Sequence, residues 1–149
     1  MFSNAVFSKF IDSSILIDNQ FDLSHPTNKI MLSNSDGRNW IEINDIIRCE
    51  SDGNYTMFHI KNSKPILISK TLKEFVSRFS MFNFERVHQS HLININYVKS
   101  IKSGTGLTIQ LDDMTVIPVS RRKKEQVVNV LKLKKPLLLH AHLLRYMKH

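Results

Sequence analysis

Seven hydrogen-bonding side chains fall within eleven positions: Arg86, His88, Gln89, Ser90, His91, Asn94 and Asn96. Each can donate to a phosphate oxygen or a base edge. No carboxylate follows Glu85 in this stretch, and Phe84, Val87, Leu92, Ile93, Ile95 and Val98 interleave as core residues. The pattern predicts a strand over residues 84–98 with one apolar face. A strand that only packs needs nothing more than solubility on its other face, whereas a donor-rich, acid-poor face suits a polyanion. The competing reading is a surface strand whose Ser and Asn residues make turns and caps.

The run Arg121-Arg122-Lys123-Lys124 is the second candidate. It is expected to open the last helix, where the dipole prefers anions. Four cations there cost stability in isolation and are relieved when phosphates arrive. The bland alternative is a solvated charge run.

Other chemistries find less support. His88 and His91, three apart on one strand, are expected to point to opposite faces and share no metal. Ser90 lies near His88, but the acids concentrate in the N-terminal third and no nucleophile-elbow pattern occurs. Gly104-Thr105-Gly106 lacks the third glycine and following helix of a phosphate loop, so it reads as a turn. The reading is therefore of a non-enzyme with neither a metal nor another cofactor.

The elements that must position these residues follow in order. Residues 1–28 read as a leader or linker, with Phe2, Val6 and Phe10 at helical spacing and a boundary at Ser24-His25-Pro26. The period then changes to two. Strands are expected around Ile30 and Leu32, at residues 40–43, 45–50, 55–60 and 65–69, then at 107–111 and 115–119. Asn34-Ser35-Asp36-Gly37 and Ser51-Asp52-Gly53-Asn54 read as turns. Thr71 and Glu74 match a capping box, followed by the stripe Leu72, Phe75, Val76 and Phe79. Pro118 suggests an edge strand, and Ser120 is expected to cap a helix over residues 121–133. Residues 134–149 read as a basic, Leu-rich tail.

The chain of 149 residues carries a net charge of +8. Residues 1–60 hold four basic and eight acidic side chains, and residues 61–149 hold seventeen and five. So polarised a chain favours a localised anion-binding face. With 42% hydrophobic residues it can build a core. The single cysteine, Cys49, excludes an intrachain disulfide, fits a reducing compartment, and sits in an apolar run where a buried, inert thiol is expected. No secretory signal or spanning apolar run is seen, so the expected location is cytoplasmic.

With these residues in view, the chain from residue 29 to 133 resembles a LytTR-type DNA-binding domain of the LytR/AlgR-like bacterial transcriptional regulators. Four ordered blocks carry the resemblance: residues 46–56 ending in Gly53-Asn54-Tyr55-Thr56, then Ser69-Lys70-Thr71-Leu72-Lys73-Glu74-Phe75, then Phe84-Glu85-Arg86-Val87-His88-Gln89-Ser90 through Ile93-Asn94, then Ile117-Pro118-Val119-Ser120-Arg121-Arg122. The resemblance implies a mainly β, antiparallel fold of about ten strands with a short internal helix and a C-terminal helix. It implies loops, not a recognition helix, in successive major grooves of double-stranded DNA. Contacts would come from the turn at Asn54, Tyr55 and Thr56, from the loop at His88, Gln89 and Ser90, and from the junction at Ser120, Arg121 and Arg122 with Lys123. Gln89 would read adenine, and Arg121 or Arg122 would read guanine or hold phosphate, while His88 and Lys123 position the backbone. Phe84 and Arg86 are read as structural, Phe84 in the core and Arg86 in an ion pair. The family typically serves two-component systems as the output domain of a response regulator and binds paired promoter elements as a dimer. Only about 28 residues precede the match, too few for the phosphorylated receiver domain that usually comes first. The expectation is a stand-alone regulator or a fragment, with a sensor or regulatory partner at residues 1–28 or 134–149. A docking module for a protein or membrane surface is the alternative from another class.

Overall fold

Alternating apolar residues and turn-forming glycines make this chain a set of antiparallel hairpins. The computed structural model describes residues 28–136. The described residues form two compact units, residues 28–43 and 44–136.

The first unit is a hairpin of β1 (Lys29–Asn34) and β2 (Gly37–Glu42). Its turn comes where the sequence places it: the Asp36 N–H donates to Asn34 Oδ1 at 3.0 Å. Gly37 then takes φ +138°, open to glycine and strained for side-chain-bearing residues.

The second unit begins with β3 (Ile46–Asp52), β4 (Tyr55–Ile60) and β5 (Ile66–Ile68). After α1 (Leu72–Arg78) come β6 (Phe84–His88) and β7 (His91–Asn94). These strands form a five-stranded sheet in the order β5-β4-β3-β7-β6. A second sheet, in the order β10-β9-β8, holds β8 (Val98–Ser103), β9 (Leu107–Leu111) and β10 (Val116–Pro118). The chain then enters α2 (Lys124–Lys134). All pairings are antiparallel. Among the described residues, ten strands, a short internal helix and a C-terminal helix agree with the expected fold. Pro118 lies on the edge strand β10, where its missing N–H is harmless.

Two apolar clusters hold the second unit. Register puts Cys49, Phe58 and Leu92 on one face of the large sheet. There Phe58, Phe75, Phe79 and Phe84 meet ring to ring. Helix α1 supplies Leu72 and Phe75, and its C-cap is Phe79, all buried, while Val76 is half-buried. Glu74 Oε1 accepts the Thr71 N–H at 3.3 Å, the backbone half of the expected capping box. The other cluster joins Ile93 and Val87 to Ile101, Ile109, Leu111 and Ile117 and to Val127, Val128 and Leu131 of α2. Cys49 is buried, and that burial pushes its thiol well up, against a smaller downward pull from the Arg48 charge. A thiol so shielded is inert.

The stretch 84–98 is not one strand. It turns back at Gln89-Ser90, so β6 and β7 pair with each other, and a 3-10 turn (Ile95–Tyr97) precedes β8. The expected placing of His88 and His91 on opposite faces is thereby corrected. They are register partners across the hairpin, with ring centroids 5.5 Å apart. Among the described residues no group of three or more His, Cys, Asp or Glu could hold a metal. Nor is any described helix long and apolar enough to cross a membrane. The expectations for a leader helix and for Leu137-Leu138-Leu139 lie outside the described residues.

Candidate nucleic-acid interface

Strand direction brings the candidate residues to one end of the five-stranded sheet. Strand β3 finishes at Asp52 opposite Tyr55, which leaves Gly53-Asn54 as a two-residue turn. Gly53 has φ +59°, the left-handed value such a turn requires. On the other side of β3, His91 opens β7 opposite Glu50, and His88 closes β6 opposite His91. The Gln89-Ser90 turn therefore lies at the same end as Gly53-Asn54. The Ser51 N–H donates to the Ser90 carbonyl at 3.0 Å and ties the two turns together.

The basic junction is tied to the same place. Strand β6 carries a bulge between Arg86 and His88. At the bulge, the Val87 carbonyl accepts the Ser120 N–H at 2.9 Å. Arg121, Arg122 and Lys123 follow directly as a 3-10 turn. Arg121 and Arg122 are exposed, and Lys123 is half-buried. Ser120 does not cap with its side chain, contrary to expectation, because its backbone carbonyl takes the Lys123 N–H at 3.0 Å and winds the entry tighter than α.

The predicted residues divide by what their side chains already do. Asn54, Tyr55 and Gln89 are exposed, and Ser90 and Ser120 are half-buried. Thr56 is fully buried and its hydroxyl donates to the Lys70 carbonyl at 2.7 Å. The hydroxyl expected to contact DNA is thus engaged within the fold. Thr56 anchors the hairpin, and in doing so brings Ser69-Lys70 to this end of the sheet. Sequence reasoning set Ser69-Lys70 within the second motif block but did not place it among the candidate contacts. His88 accepts the Ser90 N–H on Nδ1 at 3.1 Å, which leaves Nε2 as its donor. Asn94 is buried, donating to the Ile46 carbonyl at 3.0 Å and accepting the Asn96 N–H at 3.0 Å, so it is structural. Among the described residues Arg86 does not make the expected ion pair. Its Nε–H donates to the His88 carbonyl at 2.7 Å, and a second guanidinium N–H donates to the Gln89 carbonyl.

Behind the two turns lies a charged network. Glu50 Oε2 sits 2.7 Å from Arg48 Nη1 and 3.1 Å from His59 Nε2. Burial alone would raise the Glu50 carboxyl, but the Arg48 bond and charge and the His59 bond hold it below its ordinary value. Both neighbouring histidines are pushed down. For His59, burial leads and the Arg48 charge adds to it, against the pull of Glu50 and Asp113. For His91, burial leads and Glu50 opposes, while Arg48, His88 and His59 add to the lowering.

These shifts predict an acid-sensitive fold. A base with a lowered folded pKa lets the unfolded chain take protons first, so its stability is present above 6.5 and lost as pH falls from there to the folded values. The Glu50 contribution disappears only below the ordinary carboxylate value of 4.5. Glu85, raised mainly by burial, works the opposite way as its carboxyl protonates. The melting temperature of wild type minus that of the His59→Gln/His91→Gln variant cancels the Glu85 share. That difference is expected to shrink between about pH 7.5 and about pH 5.5. A constant difference would remove both histidines from the acid response.

A family model for the LytTr DNA-binding domain matches residues 36–132. The chain belongs to this family. This chain is 31% identical over 94 residues to the heme-containing CO-sensing transcriptional regulator RcoM 2 of Paraburkholderia xenovorans (strain LB400), covering 61% of this chain and 35% of that protein. RcoM 1 of the same strain is 29% identical over the same extent. The chain thus spans about a third of the length of these curated relatives. Among solved structures, the LytTr DNA-binding domain of a Bacillus cereus methyl-accepting/DNA response regulator superposes with a TM-score of 0.62 at 20% identity, over 70% of this chain and 97% of that one. That likeness is one of fold.

Proposed function

We propose that this chain is a sequence-specific, DNA-binding transcriptional regulator whose turns, not a helix, enter the major groove. The observation that carries the reading is the gathering of Asn54-Tyr55, His88-Gln89-Ser90 and Ser120-Arg121-Arg122 at one end of a single sheet, joined by the Ser51–Ser90 and Ser120–Val87 backbone bonds. Exposed amide and guanidinium groups on rigid turns can read base edges, and the basic junction can hold phosphates. Lys123 and His88 position the backbone. Two copies bind paired elements on duplex DNA, in the cytoplasm, and a sensor or regulatory partner engages residues 1–28 or 134–149. The domain acts by binding rather than by catalysis.

Selection of random duplexes at about physiological salt tests this directly. Enrichment of two similar elements about one helical turn apart is the expected result. Binding without enrichment would leave only a non-specific basic module. With the selected site in hand, Gln89→Ala is expected to cost about 1–3 kcal/mol at one base position and little on unrelated DNA. Equal loss on all sequences would remove Gln89 from base reading.

A further inference from the structure

The Gln89-Ser90 turn is a poor turn by itself. Two-residue hairpins favour primed turns, which need positive φ, because only these match the strand twist. Neither Gln89 nor Ser90 has positive φ; among the described non-glycine residues only Asn62 and Met114 do. The sequence also supplies no glycine there. Something outside the turn must therefore hold its shape.

Arg86 stands where that support is needed. It lies on β6 just before the bulge, two residues from His88. Its guanidinium donates to both carbonyls that enter the turn, His88 and Gln89. The bond from the Ser90 N–H to His88 Nδ1 braces the turn from the other side. The planar guanidinium fork can serve two acceptors in one fixed geometry, which a lysine ammonium on a flexible stem cannot.

We infer that Arg86 is a positioning residue for base reading, a clamp that presets the Gln89-Ser90 turn before DNA arrives. The inference rests on the DNA-reading proposal above. It requires Arg86 to act through the turn and not through phosphate, so its charge is not what matters. Presetting a loop removes an ordering cost from binding and strengthens the specific complex above all.

Arg86→Lys keeps the charge and breaks the fork. Its affinity for the selected duplex is expected to fall about tenfold, the scale of one charge-assisted hydrogen bond. Affinity for unrelated duplex, and the slope of log K against log salt, should stay as in wild type. Wild-type specific affinity in the variant would overturn the clamp. So would an equal loss on both duplexes with a slope lower by about one, since that marks a phosphate contact. Hydrogen exchange at the Arg86 Nε–H in the unaltered, DNA-free chain decides the matter even if the variant does not fold. Protection supports the clamp, and exchange at the rate of a free arginine overturns it. If the wild-type chain selects no DNA motif, the DNA reading itself fails. Exchange then shows separately whether the clamp exists.

Discussion

Replacing Arg121 and Arg122 together by alanine should weaken binding to the selected duplex on the order of 100-fold and leave the fold as stable as before. The two effects have different physical origins. Both side chains are exposed in the 3-10 turn that leads into α2. With Lys123 and Lys124 they crowd positive charge against the positive end of the helix dipole. Glu125 is the sole acid in the first turn of α2, and no side chain caps the helix. Removing two of these cations relieves repulsion, so the melting temperature should hold or rise slightly. On DNA each lost phosphate contact lowers the slope of log K against log salt by about 0.9. A drop of about two is expected if both arginines hold phosphate, and about one if one of them reads a base. Lys61 provides the control. It follows β4 at the opposite end of the large sheet, so Lys61→Ala should leave the slope unchanged. An unaltered slope in the double variant would remove this junction from the interface.

Much of the local structure was legible in the sequence because its signals are local. Asn34-Ser35-Asp36-Gly37 and Gly53-Asn54 announce turns through residue chemistry, and both form. Cys49 and Phe84 read as core and are core. The motif blocks located the family. Residue chemistry alone did not show the hairpin reversal at Gln89-Ser90; the loop expected at His88-Gln89-Ser90 came only from the family resemblance. Gln89-Ser90 has no local signal for a turn, because its shape is imposed by Arg86, the Val87 bulge and the pairing with β3. The histidine geometry followed that error, since a strand and a hairpin place His88 and His91 in opposite relations. Thr56 and Asn94 illustrate the same limit. Both are polar types that could face solvent, yet each is buried on a backbone carbonyl distant in sequence, Lys70 and Ile46 respectively. Such partners depend on register and not on composition.

The largest effect on the fold is expected at Phe79. It closes α1 and is fully buried. Its ring meets four others: Phe84 stacked at 4.7 Å, Phe75 at 6.0 Å, Phe58 edge-on at 6.3 Å and Phe82 edge-on at 6.5 Å. Phe79→Ala removes the hub of this cluster and leaves a cavity that rings fixed on a sheet and a helix cannot readily refill. Such truncations cost about 3–5 kcal/mol. For a unit of this size that is a fall in melting temperature on the order of 15 °C or more. Leu133→Ala is the contrast: its side chain is 84% exposed, so a change within about 0.5 kcal/mol is expected. The loss at Phe79 should also reach the interface. Phe84 lies on the same strand as Arg86 and His88, two and four residues away, and it is held in place by the Phe79 ring. Loosening that contact should raise amide exchange at the Gln89-Ser90 turn below the unfolding transition, before global melting begins. Calorimetry and residue-resolved exchange on the same variant separate the two effects. A melting temperature within a few degrees of wild type would show that the phenylalanine cluster does not hold α1 to the sheet. A destabilised fold with unchanged exchange at Gln89-Ser90 would show that the turn is supported from the Arg86 and Ser120 side alone.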